Sequence, residues 1–242
     1  MPDRRQAGPP AAVRGSFGRA PPRRQRRLQP VGGDTPYETG SLTRTAAQRA
    51  GQDGLQAVRQ RALIAETGGL NAMVVDSTAL PEQVVDAVVQ SAFRSAGQRC
   101  SALRLLCLHE GIADGVIDML VGALAELRVG DPSRMDTDVG PLIDAQAHAA
   151  ISQHVQRLKA HARCLGEARS TGEVPHLLAP VMFELPRVAD LKEEVFGPVL
   201  HVVRWSGDVE QLVREINALG YGLTLGVQTR IDSRAQRIAD RA

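Results

Sequence analysis

Aromatic residues are scarce in this 242-residue sequence, which has one Trp, two Tyr and four Phe. Proteins that grip single strands of nucleic acid stack bases on aromatic rings, and there are too few rings here for that. Lysine is scarcer still: Lys159 and Lys192 are the only two among 29 basic residues. The preference for arginine runs through the whole chain and reads as a compositional bias, not as a selected basic surface. Three cysteines with no paired spacing argue against a disulfide framework and for a reducing compartment, the cytoplasm. No apolar run is long enough to span a bilayer, and no apolar segment near Met1 has the form of a secretion signal. With 43% hydrophobic residues, the chain falls in the soluble globular class.

The net charge of +2 hides an uneven distribution. Residues 1–62 carry twelve arginines against four acids, whereas residues 63–242 carry 17 basic against 23 acidic side chains. Six prolines fall within the first 30 residues, and arginines cluster at Arg4-Arg5 and from Arg23 to Arg27, with no sustained hydrophobic period. Residues 1–62 are therefore expected to be a largely disordered leader. A basic arm can attract nucleic acid or anionic lipid, but Phe17 and Tyr37 stand alone, so nucleic acid is not an expected partner.

The texture changes at Ala62. ALIAE and AMVVD have the composition of short buried strands, separated by the loop signal Thr67-Gly68-Gly69. Pro81 and Glu82 open a helix that presents Val84, Val85, Val88, Val89, Ala92 and Phe93 on one face and ends at Gly97. RLLCLHE predicts a strand, and the period of Ile112, Val116, Ile117, Leu120, Leu124 and Leu127 predicts a helix over 112–127. After a Gly/Asp/Pro loop come a helix over 144–162, strands over 178–183 and 197–204, a helix over 209–218, a strand over 223–229 and a last helix from Asp232. Strands alternating with helices predict an α/β sheet covered on both faces.

Two residues stand out chemically. Cys100, in AGQRCSAL, follows a helix end beside Arg99 and Ser101, a polar setting that suits a partly exposed thiol whose thiolate a neighbouring cation favours. Cys107 and Cys164, in RLLCLHE and ARCLG, read as small core residues. Glu66 closes ALIAE at a strand's carboxyl end, where an acid can serve as a base or be an ordinary solvated residue. His148, His154 and His161 are six and seven residues apart on one helix, which does not stack them, so no metal is expected. Gly220-Tyr221-Gly222 precedes a strand instead of opening a helix, which rules out a dinucleotide fingerprint there.

Five strings occur in order: ETGGLNA around Glu66, AGQRC around Cys100, VGPLI at 139–143, EEVFGPVL at 193–200 and YGLT at 221–224. Together with the 34-residue interval from Glu66 to Cys100, they resemble the aldehyde dehydrogenase superfamily over about 180 residues. The ungapped text between them, LIAETGGLNAMVVDSTALPEQVV and SAFRSAGQRCSALRLLCL, is most similar to the L-glutamate γ-semialdehyde (Δ1-pyrroline-5-carboxylate) dehydrogenase module of bifunctional proline utilization proteins.

The resemblance implies an α/β catalytic domain, in part, over residues 63–242, and NAD-dependent oxidation of glutamate semialdehyde in proline catabolism. It implies Cys100 as the nucleophile that forms a thiohemiacetal and then a thioester, and Glu66 as the base that activates the hydrolytic water. It also implies that Glu194 binds a ribose hydroxyl of NAD, that Phe196 packs beside the nicotinamide, and that Ser101 helps hold the substrate carboxylate. Read without the family, Glu193-Glu194 is a surface acidic pair, Phe196 a core aromatic and Arg99 either a structural or an electrostatic residue.

Other parts of the family pattern are missing. There is no Pro-Trp-Asn segment and no lysine before Lys159, and the weak likeness of Glu38-Thr39-Gly40-Ser41 to a phosphate-side turn carries no weight. The chain is expected to be a fragment, and the alternative to an enzyme is an inactive remnant or interaction fragment. Expected partners are a small aldehyde and a further copy of the chain or a full-length relative.

Overall fold

A computed structural model describes residues 68–170, 172 and 174–242. Glu66, the strand expected at ALIAE and the leader lie outside the described residues. Six strands form one sheet: β1 (Asn71–Val75), β2 (Leu103–His109), β3 (Arg163–Glu167), β4 (Val181–Glu184), β5 (Val199–Trp205) and β6 (Leu225–Gln228), in the spatial order β3-β4-β5-β2-β1-β6. All neighbours are parallel except β3 and β4, which are antiparallel. Among the described residues the α-helices are α1 (Pro81–Phe93), α2 (Glu110–Glu126), α3 (Ala145–His161), α4 (Val209–Ala218) and α5 (Asp232–Arg241).

Both faces of the sheet are covered, as the alternation predicts. Met73 and Val75 of β1 point to the side packed by Val84 and Val88 of α1, Leu120 of α2 and Ile151 of α3. Ala72 and Val74 point to the other side, where Leu212 and Val213 of α4 and Ile238 of α5 lie. Central strands buried on both faces need continuous apolar sequence, which is why LRLLCLH lacks the polar alternation of a half-buried strand. Burying one leucine of this run, such as Leu106, stabilises by about 2 kcal/mol. Most boundaries lie within three residues of expectation; α1 ends four residues before Gly97, and β3 is a strand the sequence did not predict. α3 begins where the Asp144 side chain accepts from Ala147 N, and it ends in Lys159 and His161, which suit a helix carboxyl end.

Two departures are informative. α1 stops at Phe93, and a tight turn follows over Arg94–Gly97 in which Ser95, Ala96 and Gly97 all take left-handed backbone angles. The edge strand β3 places Cys164 in an exposed position, so the expectation of a core cysteine fails there. An edge strand has one open side, and neighbouring apolar letters do not report which way a residue points. Cys107 is fully buried as expected, and burial pushes its thiol pKa up, with the nearby Glu215 charge adding to the effect.

The carboxyl end of β1 is tied to α5 by Asp76. Its carboxylate accepts from Thr78 N, Ser77 Oγ and Thr229 Oγ1, and Arg234 Nη1 donates to both oxygens at 2.7 and 2.6 Å. Burial opposes ionisation of Asp76, but Arg234 and the three lesser hydrogen bonds outweigh it and hold the carboxyl below its usual range. A carboxyl depressed on folding contributes stability above its unfolded value and loses it as pH falls through the folded value. Asp76→Ala is expected to cost about 3 kcal/mol in urea unfolding at neutral pH. The gap to the parent should narrow below about pH 4. A gap unchanged down to pH 2 (about two units below the ordinary aspartate value) would contradict the assignment.

Candidate active site around Cys100

Cys100 sits on a turn closed by the hydrogen bond from Ala102 N to Arg99 O, immediately before β2. Both Cys100 and Ser101 are exposed. The loop is held from several directions, and the holding groups come from the segments whose sequence is most distinctive. The Asn71 Nδ2 at the start of β1 donates to Cys100 O at 2.7 Å and to Ala102 O at 2.8 Å, while its Oδ1 accepts from Thr224 N at 3.1 Å. One buried amide therefore joins GGLNA, the cysteine loop and YGLT. Gln98 Oε1 accepts from Ile143 N, and its Nε2 donates to Pro141 O, which joins the loop to VGPLI.

EEVFGPVL supplies the remaining wall. Glu194 accepts from Gly69 N at 3.1 Å through Oε2 and from Arg104 Nη2 at 3.3 Å through Oε1, and its side chain is 4% exposed. Arg104 has no exposure at all. It also donates to Arg99 O and Gly197 O, and its guanidinium lies 5.3 Å from the centroid of the Phe196 ring. Phe196 is 44% exposed, so the reading of it as a core aromatic does not hold. Burial lowers the pKa of Arg104, partly offset by the Glu194 charge and hydrogen bond, and the guanidinium remains the charged partner of that carboxylate.

The buried cation that holds the cysteine loop is thus Arg104, not the sequence neighbour Arg99. Arg99 turns back and donates to Gln90 O near the end of α1, a structural use of its charge. Behind Arg104, its own carbonyl accepts from His201 Nδ1 at 3.0 Å. A carbonyl only accepts, so that proton fixes the tautomer and leaves His201 Nε2 to accept from His154 Nε2 at 3.2 Å. Burial above all, with the neighbouring His154 and Arg104 charges, lowers the His201 pKa to about 4 against the opposing Arg104 backbone hydrogen bond, so the ring is neutral. Among the described residues no three His, Cys, Asp or Glu side chains converge as metal ligands. A cleft of about 760 Å³ lies beside this cluster, between α3 and the Glu194–Phe196 segment, lined among others by Gln98, Ile143, His154 and Arg157.

Sequence reading had not singled out Asn71 or Arg104. Each is a lone polar residue within an apolar strand, and such a residue is buried with partners or it does not persist. That was the available signal. Asn71→Ala would strand two carbonyls and one N–H, at an expected cost of about 3 kcal/mol. Asn71→Asp keeps the shape and removes the donors, and is expected to be at least as damaging in urea unfolding. A neutral Asn71→Asp would show that the amide does not hold the loop.

The geometry has a counterpart in known proteins. The model of the aldehyde dehydrogenase family matches residues 39–242, beginning at Thr39 and so taking in 24 residues of the expected leader. The chain is 50% identical over 209 residues to the bifunctional protein PutA of Klebsiella aerogenes, covering 83% of this chain and 16% of that protein. A crystal structure of a bifunctional proline utilization A protein superposes with a TM-score of 0.73 at 48% identity, over 79% of this chain and 20% of the other. A 1-pyrroline-5-carboxylate dehydrogenase from Thermus, solved with bound NAD, superposes with a TM-score of 0.67 at 30% identity, over 73% and 34% of the two chains. The chain therefore spans about a sixth of the PutA length. From the family match, together with the five converging segments, the chain belongs to the aldehyde dehydrogenase family.

Proposed function

We propose that residues 63–242 carry the thiol-bearing part of an NAD-dependent L-glutamate γ-semialdehyde dehydrogenase acting in proline catabolism. The observation that carries this is the Cys100 loop: an exposed thiol on a turn whose backbone is clamped by Asn71, Gln98 and Arg104. Such a clamp presents one sulfur in one position, which is what nucleophilic attack on a carbonyl carbon needs. The PutA and 1-pyrroline-5-carboxylate dehydrogenase relatives support the substrate class.

In this reading the Cys100 thiolate forms a C–S bond to the aldehyde carbon. A nicotinamide cofactor, when bound, supplies the hydride acceptor. Glu66 takes a proton from the water that cleaves the resulting thioester, releasing glutamate and the free thiol. Ser101, exposed beside Cys100, would meet the substrate carboxylate. Phe196 fits a dinucleotide, because its exposed ring offers a flat surface backed by Arg104. Glu194 has the acceptor chemistry for a ribose hydroxyl but reaches one only by leaving Arg104 and Gly69.

That closed position of Glu194 favours a second reading, a non-catalytic interaction fragment. NADH formation from NAD and L-glutamate γ-semialdehyde by the purified chain, stopped by alkylation of Cys100, would support the enzyme. No turnover from folded, thiol-intact protein would leave the second reading.

A further inference from the structure

The chemical steps above give the charge of Arg104 no part, although it is a fully buried cation bonded to the loop that carries the proposed nucleophile. Its five-donor fork meets acceptors on two different segments: Arg99 O before Cys100, and Glu194 Oε1 and Gly197 O on the loop before β5. Its Nε finds no acceptor, so the group is held there at a cost, and its face lies against Phe196. The sequence interval is short, four residues from Cys100 to Arg104 across one turn, while the partners on the other loop lie 90 or more residues away.

We infer that Arg104 is a positioning residue which locks the Cys100 loop to the Glu194–Gly197 loop and, with Glu194, sets the charge felt at the Cys100 sulfur. The inference rests on the reading of Cys100 as the reacting thiol. Arg104 Nη2 holds the carbonyl of Arg99, the residue before Cys100, at 3.1 Å, which keeps the guanidinium charge against the cysteine loop. The other charged groups nearby are Arg99, which is turned to Gln90 O, and Glu194, while His201 and His154 stand behind the Arg104 carbonyl. Arg104 and Glu194 therefore oppose each other at the thiol. Removing either one leaves the other unbalanced, and a packing role alone would not produce effects of opposite sign.

The test compares alkylation of Cys100 by neutral iodoacetamide and by anionic iodoacetate, in the full chain carrying Cys164→Ser so that no other exposed cysteine competes. Arg104→Met is expected to lower the iodoacetate-to-iodoacetamide rate ratio about threefold, and Glu194→Gln to raise it about threefold, the size of a unit charge some 6 Å away in a water-like medium. Arg104→Lys should restore the ratio. If Arg104→Met proves unfolded by circular dichroism, Glu194→Gln decides alone, and no rise overturns the inference. Equal ratios in all variants would likewise reduce Arg104 to packing. Because no oxidation is measured, a chain that forms no NADH yet gives these ratios fails the functional reading and keeps this one. A chain that forms NADH with unmoved ratios does the reverse.

Discussion

Replacing Cys100 with alanine is expected to abolish both rapid labelling by iodoacetamide and NADH formation, a loss on the order of 10⁴-fold or more, as when a covalent nucleophile is removed elsewhere. The fold should be untouched, because the side chain is exposed and its backbone partners, Asn71 Nδ2 above all, remain. Unfolding free energy is expected to change by less than about 0.5 kcal/mol. The other two cysteines provide the contrast. Cys164 is exposed on an edge strand and bears no clamp like that of Cys100; its thiol points to Gly166 O at 3.9 Å. Cys107 is sealed in the sheet with its thiolate disfavoured by burial. Alanine at Cys164 should therefore leave oxidation intact. If Cys164→Ala removed turnover as completely as Cys100→Ala, the assignment of the nucleophile would be wrong.

Gly97→Ala is the second large effect. Gly97 has φ of +64°, a left-handed angle that costs a residue with a Cβ about 1–2 kcal/mol. A Cβ there would also run into the carbonyl oxygen of Gly197 and approach Ala92 O at 2.9 Å, and neither is a side chain that can swing away. The two loops that Arg104 ties together would have to separate. The summed cost is expected to be about 3 kcal/mol or more, a fall in Tm of roughly 10 °C for a domain of this size. Gly207 is the control: its φ is +77°, but nothing lies within 4 Å of a Cβ built there. Gly207→Ala should lose only the strain, about 1 kcal/mol. Similar Tm values for the two variants would show that the close approach of Gly97 to Gly197 is not maintained in solution.

The contrast between these glycines also indicates how much the sequence could reveal. Among the described residues periodicity located α1 and α2, because each buries one stripe against the sheet and the stripe shows as letters three and four apart. Continuous apolar runs located β2 and β5, which are covered on both sides. β3 was missed, since an antiparallel edge strand with the burial pattern of RCLGE has no strong period to display. The exposure of Cys100 was legible from its polar surroundings, and its turn follows a helix end as expected. Asn71 and Arg104 were not identified, because most of their partners lie on loops distant in sequence and only the assembled sheet brings a donor and its acceptors together. The left-handed run at Ser95 and Ala96 was equally hidden, because neither residue type advertises positive φ.

The groups around Cys100 gather at one rim of the sheet: Gly69 precedes β1, Cys100 precedes β2 and Gly197 precedes β5. This is the amino-terminal rim, opposite to the rim where parallel sheets usually hold their ligands. The carboxyl-terminal rim is occupied instead by the Asp76–Arg234 tie and the turn at Gly207. The chain thus has two ends that can be altered separately. A reporter or a grafted loop placed at the turn around Gly207 sits a full strand length from the thiol, so the protein could be tethered or immobilised by that end with its reactive rim left facing the solution.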